Sequence, residues 1–585
     1  MFVFPKMRLG SFLTGVLLLS GLLGAQDGER VNEIFPLSEV EKGQSGIWRT
    51  VVQGDEIREF KLKILGVVDN FAGPGQPVIL AEALDAEHIL SGPVAGMSGS
   101  PVFIDGRIVG AYAYGYIWPK EQALIGITPI EKMLEILDFE EDESNSISTR
   151  TRSKLISRAS AGVFGSARLE AVPSPMMLAG FGSASIEAFR TELEDLGFVP
   201  AAGPVGAGDD ISLDLRPGAA VAGVLMQGDF QAAATGTITW TDGDQLLAFG
   251  HPFLQSGSID MPMAGADIIT VVRNLKSSFK LANIGPAEGS LFQDRLTGVA
   301  GRLGEVPEMA DLSLRLIPGE LPPVDFNAEI WPDARFLPVL SAMTVIEASS
   351  RSLFKEEEQS FRLQARLVLS DGEELQWESR SVGSEGANAL AQEIYGRLNM
   401  LLNNPFEQLE VASIEMQLEA KEGLKASILR AVRQVDASPR AGEPLGLILD
   451  LHDYRGNASQ RRIEIPIPED FRSGQKLLVT VADAEGANRI AASQRRSADG
   501  VGDLLEAWAD TRPQGYVYVF IGEQRLSPGI DGQRLPGLPP SFASTFASEA
   551  SNFVMTPGGS HIWWETRLPV EGIFLGQDIF VITLE

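Results

Sequence analysis

The 585-residue sequence contains no cysteine. Disulfide bonds, thiolate nucleophiles, cysteine-ligated zinc and iron–sulfur clusters are therefore excluded. Histidine is almost as scarce, with four residues at positions 88, 251, 452 and 561. Any chemistry that needs an imidazole has only these four candidates, and no HExxH motif or pair of neighbouring histidines indicates a metal site. We expect no metal and no other cofactor.

Basic residues are few relative to acidic ones. The chain has 48 Lys and Arg against 78 Asp and Glu, which gives a formal net charge of −30. Nucleic-acid binding depends on basic side chains that neutralise phosphates, so this composition disfavours it. The 44% of hydrophobic residues, with 61 Gly and 34 Pro, are typical of a globular, turn-rich chain. At roughly 100 to 200 residues per domain, the length predicts about three to five domains.

Long apolar runs are absent except at the amino terminus. Residues 1–25 carry Lys6 and Arg8, then an apolar run from Leu9 to Leu23, and then small residues before a polar stretch. This order is typical of a secretory signal peptide, with an uncleaved anchor as the alternative. We predict an exported protein, periplasmic or extracellular at the cell envelope, with no stable membrane span after signal removal.

Alternating apolar and polar residues predict β structure through most of the chain. Hairpins are expected at the turns Gly54-Asp55, Asp105-Gly106 and Asp242-Gly243-Asp244, because Asp-Gly and Gly-Asp pairs favour tight turns. The fold class predicted from this pattern is mainly β with a few short helices.

Three helices are predicted from apolar residues at helical spacing. The first begins near Thr128, which can cap it, with Glu131 completing a capping box. The second covers 185–197 and ends at Gly197, and the third covers about 388–403.

Composition and pattern together divide the chain into six parts. They are a signal peptide, 1–25; a β half, 31–137; an exposed linker, 138–158; a second β half, 159–305; a β-rich region with one helix, 306–410; and a β-sandwich-like accessory region, 411–585.

The most informative stretch is GPVAGMSGSPVFIDGRIVGAYAYG, residues 92–115. A serine hydroxyl is a poor nucleophile unless a base removes its proton and N–H groups stabilise the oxyanion that forms. In the GMSGSP segment, glycines on both sides of Ser98 allow a tight loop in which the amides of Gly96 and Ser98 can point to one spot. These two amides are the predicted oxyanion hole.

This segment resembles the nucleophile loop of trypsin-like serine proteases and, more closely, the GMSGSP signature of the SpoIVB sporulation peptidase family. The similarity covers roughly residues 33–305 and includes IGITPIEKML and LLAFGHPFLQSGSIDMP. The resemblance implies a trypsin-like core of two barrel-like halves, of which the serine half comes first. It also implies a serine peptidase that acts on a protein or peptide substrate.

The resemblance further implies the site residues. The catalytic serine of the family matches Ser98, and its histidine, in a Gly-His pair that ends a strand, matches His251. The nearest match to the acidic member is Asp85, which would orient the imidazole. In the sporulation peptidase the histidine precedes the serine, whereas here it follows. A triad is defined by geometry, so either order is compatible with catalysis.

Each of these assignments has an alternative. His88 is the rival base, or else a solvated loop residue. Asp260 and Asp267 are rivals for the acidic role. His452 and His561 lie in the accessory region and are predicted to be structural.

Two functions of different classes follow from this reading. The first is an exported serine endopeptidase that cleaves envelope or secreted proteins, including its own chain. The second is a non-catalytic exported binding or scaffold protein that keeps the peptidase fold. In both, the C-terminal β domains are the candidate contact surface for an envelope partner. An esterase is disfavoured because the serine loop leads into a hairpin and not into a helix.

Overall fold

The computed structural model describes twelve segments of the chain: 33–115, 123–139, 162–164, 167–203, 210–275, 277–351, 358–435, 439–469, 471–494, 498–530, 533–534 and 555–585. The predicted signal peptide lies outside them, as does the predicted linker from residue 140 onward. None of the helices in these segments is both long and apolar enough to cross a membrane.

The amino-terminal part of the described chain forms a closed six-stranded barrel. Its elements are β1 (Ser45–Val51), β2 (Ile57–Val68), β3 (Val78–Ala83), α1 (Ala86–Ser91), β4 (Val94–Ala95), β5 (Ser100–Ile104), β6 (Arg107–Gly115), β7 (Leu124–Pro129), α2 (Ile130–Leu134), β8 (Gly162–Phe164) and β9 (Ala167–Ala171). The ring runs β5–β1–β2–β3–β7–β6, and β6 pairs back onto β5. Strand β9 extends the sheet from β6, and β8 pairs with β9.

Both predicted hairpins of this barrel are present. Strand β1 pairs antiparallel with β2 across a turn in which Gly54 has a φ of +63°. Strand β5 pairs with β6 across Asp105 and Gly106, whose φ angles are +51° and +78°. Two consecutive positive φ angles are what a tight hairpin turn requires, and the Asp-Gly pair accepts them readily.

The helix predicted near Thr128 is present, but its start differs. Helix α2 begins at Ile130, and no side chain caps it. The Thr128 hydroxyl donates instead to the carbonyl oxygen of Gly250 at 2.5 Å, and the Glu131 carboxylate accepts from the amide of Leu37. The residues that resemble a capping box are therefore used for tertiary contacts.

The next part of the chain forms a second closed ring of six strands. Its elements are β10 (Ser174–Ala179), α3 (Ser183–Ala188), α4 (Arg190–Asp195), β11 (Phe198–Ala202), β12 (Ala220–Gly228), β13 (Gln231–Asp242), β14 (Gln245–Ala248), β15 (Gly257–Val272), β16 (Ser278–Arg295) and β17 (Gly298–Leu303). The ring runs β12–β13–β14–β17–β16–β15 and closes where β15 pairs with β12. The predicted hairpin at Gly243 joins β13 to β14.

The prediction of one continuous helix over 185–197 is wrong, because two short helices occupy this stretch. They are separated at Phe189, whose φ of −124° and ψ of 17° are not helical. The Phe189 side chain is fully buried in the core. The chain does turn at Gly197, with a φ of +94°, as predicted.

The sheet of the second barrel continues into the region that follows. The elements there are β18 (Ala310–Pro318), β19 (Val324–Ile330), α5 (Leu337–Ser350), β20 (Gln359–Leu369), β21 (Glu374–Val382), α6 (Gly386–Leu402) and β22 (Val411–Glu422). Strand β19 pairs with β12, and β22 lies between β18 and β20. The predicted helix α6 is present, but the region holds two helices and not one. Helix α5 is buried on nearly every side, so its sequence has no polar face to reveal the helical period.

The carboxy-terminal region forms a sandwich of two sheets. Its elements are β23 (Ala426–Gln434), β24 (Pro444–Asp453), β25 (Ala458–Pro466), β26 (Lys476–Ala482), α7 (Ala484–Gln494), α8 (Val501–Ala509), β27 (Tyr516–Ile530), β28 (Gln533–Arg534), β29 (Met555–Pro569), β30 (Ile573–Leu575) and β31 (Gln577–Thr583). Strands β25, β24, β23 and β30 form one sheet, and β28, β27, β26, β31 and β29 form the other. Leu447 of β24 and Val479 of β26 belong to one shared core. The predicted mainly β fold, with a two-barrel core and a β accessory region, is confirmed.

Candidate active site

The serine loop connects β4, which pairs with β16 of the second barrel, to β5 of the first barrel. Gly96 and Gly99 on either side of Ser98 have φ angles of +90° and +92°, which residues with side chains rarely adopt. The amide of Ser100 donates to the carbonyl of Met97 at 3.1 Å, and the Ser100 hydroxyl donates to the same oxygen at 2.6 Å. The loop is thus a tight turn with Ser98 at its centre, as the spacing of the glycines predicts.

The loop is fastened to the second barrel by three hydrogen bonds from β13. The amide of Thr237 donates to the carbonyl of Ser98 at 2.9 Å, and the Thr237 hydroxyl donates to the carbonyl of Gly96 at 2.9 Å. Two residues along the same strand, the Thr239 hydroxyl donates to the carbonyl of Gly99 at 2.7 Å. The serine therefore lies where the two barrels meet, and both barrels fix its backbone.

His251 approaches the same interface from the end of β14. Phe249 and Gly250 have φ angles of +67° and +69°, so the chain turns sharply before the histidine. A Cβ atom on Gly250 would lie 2.8 Å from the Cβ of Ala111 in β6, which shows how closely this turn packs against the first barrel. Because a carbonyl oxygen only accepts, His251 Nδ1 donates its proton to the carbonyl of Pro252 at 2.7 Å. The other ring nitrogen, Nε2, is then the proton acceptor of the neutral imidazole.

Ser98 and His251 are both enclosed. Ser98 is 0% exposed and His251 is 4% exposed. Within the described residues, neither Ser98 Oγ nor His251 Nε2 has a hydrogen-bond partner, so the two atoms do not bond to each other. The segments that carry them are in contact, because a Cβ atom on Gly99 would lie 2.5 Å from the amide nitrogen of Phe249. Burial lowers the pKa of His251, which favours the neutral imidazole, while interactions of the ring with the backbone of Pro252 and Val172 act in the opposite direction.

Asp85 is not brought to the histidine by a hydrogen bond. It lies at the start of α1, and its carboxylate accepts from the amide of Lys61 at 2.5 Å. The alternatives Asp260 and Asp267 both lie in β15, where the carbonyl of Asp260 accepts from the indole of Trp331. The acceptor for the proton on His251 Nδ1 is the Pro252 carbonyl and not a carboxylate.

His88, the rival base, is placed in the interior of the first barrel. Only 1% of the residue is exposed, so the alternative of a solvated loop residue is wrong. Its ring packs edge-on against Trp48 at 5.0 Å and Tyr112 at 5.7 Å, and its Nε2 lies 3.4 Å from the Tyr112 hydroxyl. Burial lowers the pKa of His88 to about 4, which keeps the ring neutral in this aromatic core. His452 lies in β24 of the sandwich.

A carboxylate that was not predicted from the sequence holds the histidine turn. Asp294 of β16 is fully buried, and its two oxygens accept from the amides of Phe253, Leu254 and Ser256 at 2.8, 2.7 and 3.1 Å. These three amides belong to residues 253–256, a few positions after His251 in the chain. Burial raises the pKa of Asp294, while the three amide hydrogen bonds act in the opposite direction. Nothing in the sequence FQDR distinguishes this aspartate from an exposed one.

We expect Asp294→Asn to destabilise the histidine turn. An asparagine amide group can accept at only one of the two oxygen positions, so at least one backbone N–H faces an NH₂ group. The expected loss is about 2–4 kcal/mol in the free energy of unfolding, as for other buried charged groups that lose a partner. Urea unfolding of the two barrels measures it.

Asp242→Asn provides the matched control, because Asp242 is exposed in the hairpin turn of the same barrel. This change should stay within about 0.5 kcal/mol of wild type. Equal stability of the two variants would show that Asp294 does not hold the turn.

A second residue of the site that was not predicted is Lys280, which lies beside the serine loop. It is 0% exposed, and its Nζ donates to the hydroxyls of Thr50 at 2.7 Å and Thr237 at 3.2 Å. A signal was present in SFKLANIG, because alternation places Lys280 on the same face as the small residues Ser278 and Ala282.

The class that the structure defines is a mainly β protein in which two closed barrels meet at a glycine-flanked serine and a histidine. Residues 23–134 match the model of the family described as SpoIVB peptidase S55. The matched segment contains all six strands of the first barrel and the Ser98 loop, and it supports the SpoIVB-type peptidase family indicated by the sequence. His251 lies beyond the match. No curated protein and no solved structure matches the chain.

Proposed function

We propose that this protein is an exported serine endopeptidase in which Ser98 is the nucleophile and His251 the general base. The observation that carries the proposal is the pair of buried, unpartnered atoms, Ser98 Oγ and His251 Nε2, on two segments that pack against each other. Buried polar atoms in proteins nearly always have partners, and exceptions call for an explanation. A hydroxyl reserved for attack and a nitrogen reserved for its proton explain both.

The proposed mechanism has two halves. His251 Nε2 takes the proton from Ser98 Oγ while Oγ attacks the peptide carbonyl carbon, and the amides of Gly96 and Ser98 stabilise the oxyanion. The imidazolium then gives its proton to the leaving amine as the C–N bond breaks. Water then gives a proton to His251 and attacks the acyl ester. The C–Oγ bond breaks as the imidazolium returns this proton to Oγ, which restores the serine hydroxyl and releases a carboxylic acid that ionises. Asp85 has no part in this scheme, since its carboxylate bonds to the Lys61 amide.

Access to the site requires a local opening of the barrel interface. Ser98 is 0% exposed, so a peptide can reach Oγ only when the turns around it separate. The described form is therefore a closed one. Substrates would be unfolded segments of envelope or secreted proteins, or of this chain itself.

The second candidate function is that of a non-catalytic exported binding or scaffold protein. The observation that favours it is the same burial of Ser98, together with the lack of a hydrogen bond to His251. In this case the C-terminal sandwich would contact the envelope partner.

Labelling with a fluorophosphonate probe separates the two functions. We expect mass spectrometry to find the probe on Ser98 of the wild-type protein and no adduct in Ser98→Ala. Ser45→Ala, which changes an exposed serine of the same barrel, should label as wild type does. A folded wild-type protein that labels no more than Ser98→Ala would contradict the peptidase proposal and favour the binding protein.

A further inference from the structure

The residue that the proposed mechanism leaves unused is Lys280. Its side chain lies wholly inside the interface between the barrels, and within the described chain it forms no ion pair. Its two hydrogen-bond partners are hydroxyls, Thr50 from the first barrel and Thr237 from the second. A buried ammonium group without a counter-ion is strongly disfavoured, so this environment fits a neutral amine.

Lys280 is connected to the nucleophile loop through Thr237. Nζ donates to the Thr237 hydroxyl, which in turn donates to the carbonyl of Gly96 at 2.9 Å. The aliphatic part of Lys280 also lines the loop, because a Cβ atom on Gly96 would lie 3.3 Å from its Cδ. The backbone amide of Thr237 holds the carbonyl of Ser98. The amine and the serine are therefore fixed by the same residue of β13.

Besides His251, whose pKa burial lowers, Lys280 is the described group at this site that can change charge near neutrality. Burial lowers its pKa to about 7, and no charged neighbour contributes to that shift. On the first barrel, burial keeps His88 neutral above about pH 4 and raises the pKa of Tyr112, so both stay neutral. The adjoining strands carry Arg49 of β1, which pairs with Glu59, and Asp267 of β15. Arg273, directly after β15, pairs with Glu87.

We propose that Lys280 is a positioning residue of the site, which as a neutral amine holds the Thr237–Gly96 contact and with it the nucleophile loop. The proposal rests on the proposed peptidase function. Protonation adds a third N–H donor and a charge to a space in which the described residues offer two hydroxyl acceptors. The interface then opens to hydrate the ammonium group, and the loop loses its fixed geometry. Activity should consequently depend on a second proton besides that of His251.

The test measures the rate of fluorophosphonate labelling at Ser98 between pH 5 and pH 9. In the wild type we expect a step with its midpoint near pH 7. Its size should be about tenfold between pH 6 and pH 8, the ratio of neutral amine at the two values. Lys280→Met should lose this step and keep the step at lower pH that His251 causes. Lys280→Arg, permanently charged, should label slowly at every pH.

Lys63→Met is the matched control, because Lys63 is an exposed lysine of β2 in the same barrel. Its profile should equal that of wild type. Circular dichroism checks that each variant is folded. A step near pH 7 that persists in Lys280→Met would overturn the proposal.

A second measurement does not depend on catalysis. Hydrogen exchange of the amides in residues 96–100, corrected for intrinsic rates, is followed in Ser98→Ala with and without Lys280→Met. We expect protection to fall about tenfold from pH 8 to pH 6 only where Lys280 is present. If the wild type never labels but this difference is found, the peptidase function fails and the role of Lys280 stands. Protection that does not change with pH refutes the role of Lys280.

Discussion

Gly99→Ala is expected to leave the two barrels largely unfolded. A Cβ atom at this position would lie 2.5 Å from the amide nitrogen of Phe249 and still closer to the carbonyl oxygen of Thr237. Both are backbone atoms, so neither can rotate away as a side chain could. The φ of +92° adds the strain of a left-handed conformation. Overpacking and strain together amount to about 3–5 kcal/mol or more, a large part of the stability of a typical domain.

The variant Gly106→Ala separates the effect of overpacking from that of backbone strain. Gly106 has a similarly positive φ of +78°, but a Cβ atom there would meet nothing within 4 Å. This variant should lose only about 1 kcal/mol. Soluble yield and thermal unfolding by circular dichroism measure both variants. A Gly99→Ala protein as stable as Gly106→Ala would show that the loop does not pack against Thr237 and Phe249 as described.

The parts of the fold that the sequence predicts are those specified by neighbouring residues. The turn at Asp105-Gly106 follows from two residues that tolerate positive φ, and helix α6 follows from a repeating apolar face. Helix α5 has no such face, since Leu337, Ser341 and Thr344 are all buried. The alternation of apolar and polar residues shows which side of a helix or strand is exposed to water. An element that is buried on all sides lacks this alternation and cannot be predicted from it.

The residues of the candidate site also fall into those that the local sequence predicts and those that it does not. The Ser98 loop is predictable because its glycines and its serine are adjacent in sequence. His251 is assigned only by resemblance to a family motif, because no local pattern around it specifies where the second barrel will place it. Lys280 and Asp294 were missed because a charged residue in a strand is ordinarily exposed. Only the assembled barrels show that the amine faces two hydroxyls and the carboxylate faces three amides.

Lys280→Met is expected to remove part of the pH dependence of stability. The pKa of Lys280 is lowered by burial from 10.5 to about 7. Between these values the unfolded chain binds a proton at this site that the folded protein does not, so the wild type gains stability as pH rises. At 1.36 kcal/mol for each pKa unit, the free energy of unfolding should rise by about 4 kcal/mol between pH 6 and pH 10 from this group.

Methionine has a chain of similar length and no proton to bind, so Lys280→Met should lack this rise. Relative to wild type it should be most stable below pH 7, and the advantage should shrink by about 4 kcal/mol by pH 10. Urea unfolding read from hydrogen exchange in β1 and β13 reports on the barrels separately from the sandwich. Lys63→Met, at an exposed position, should run parallel to wild type throughout. A constant difference between Lys280→Met and wild type across this range would mean that the buried amine keeps its proton, and that a charge sits between the barrels after all.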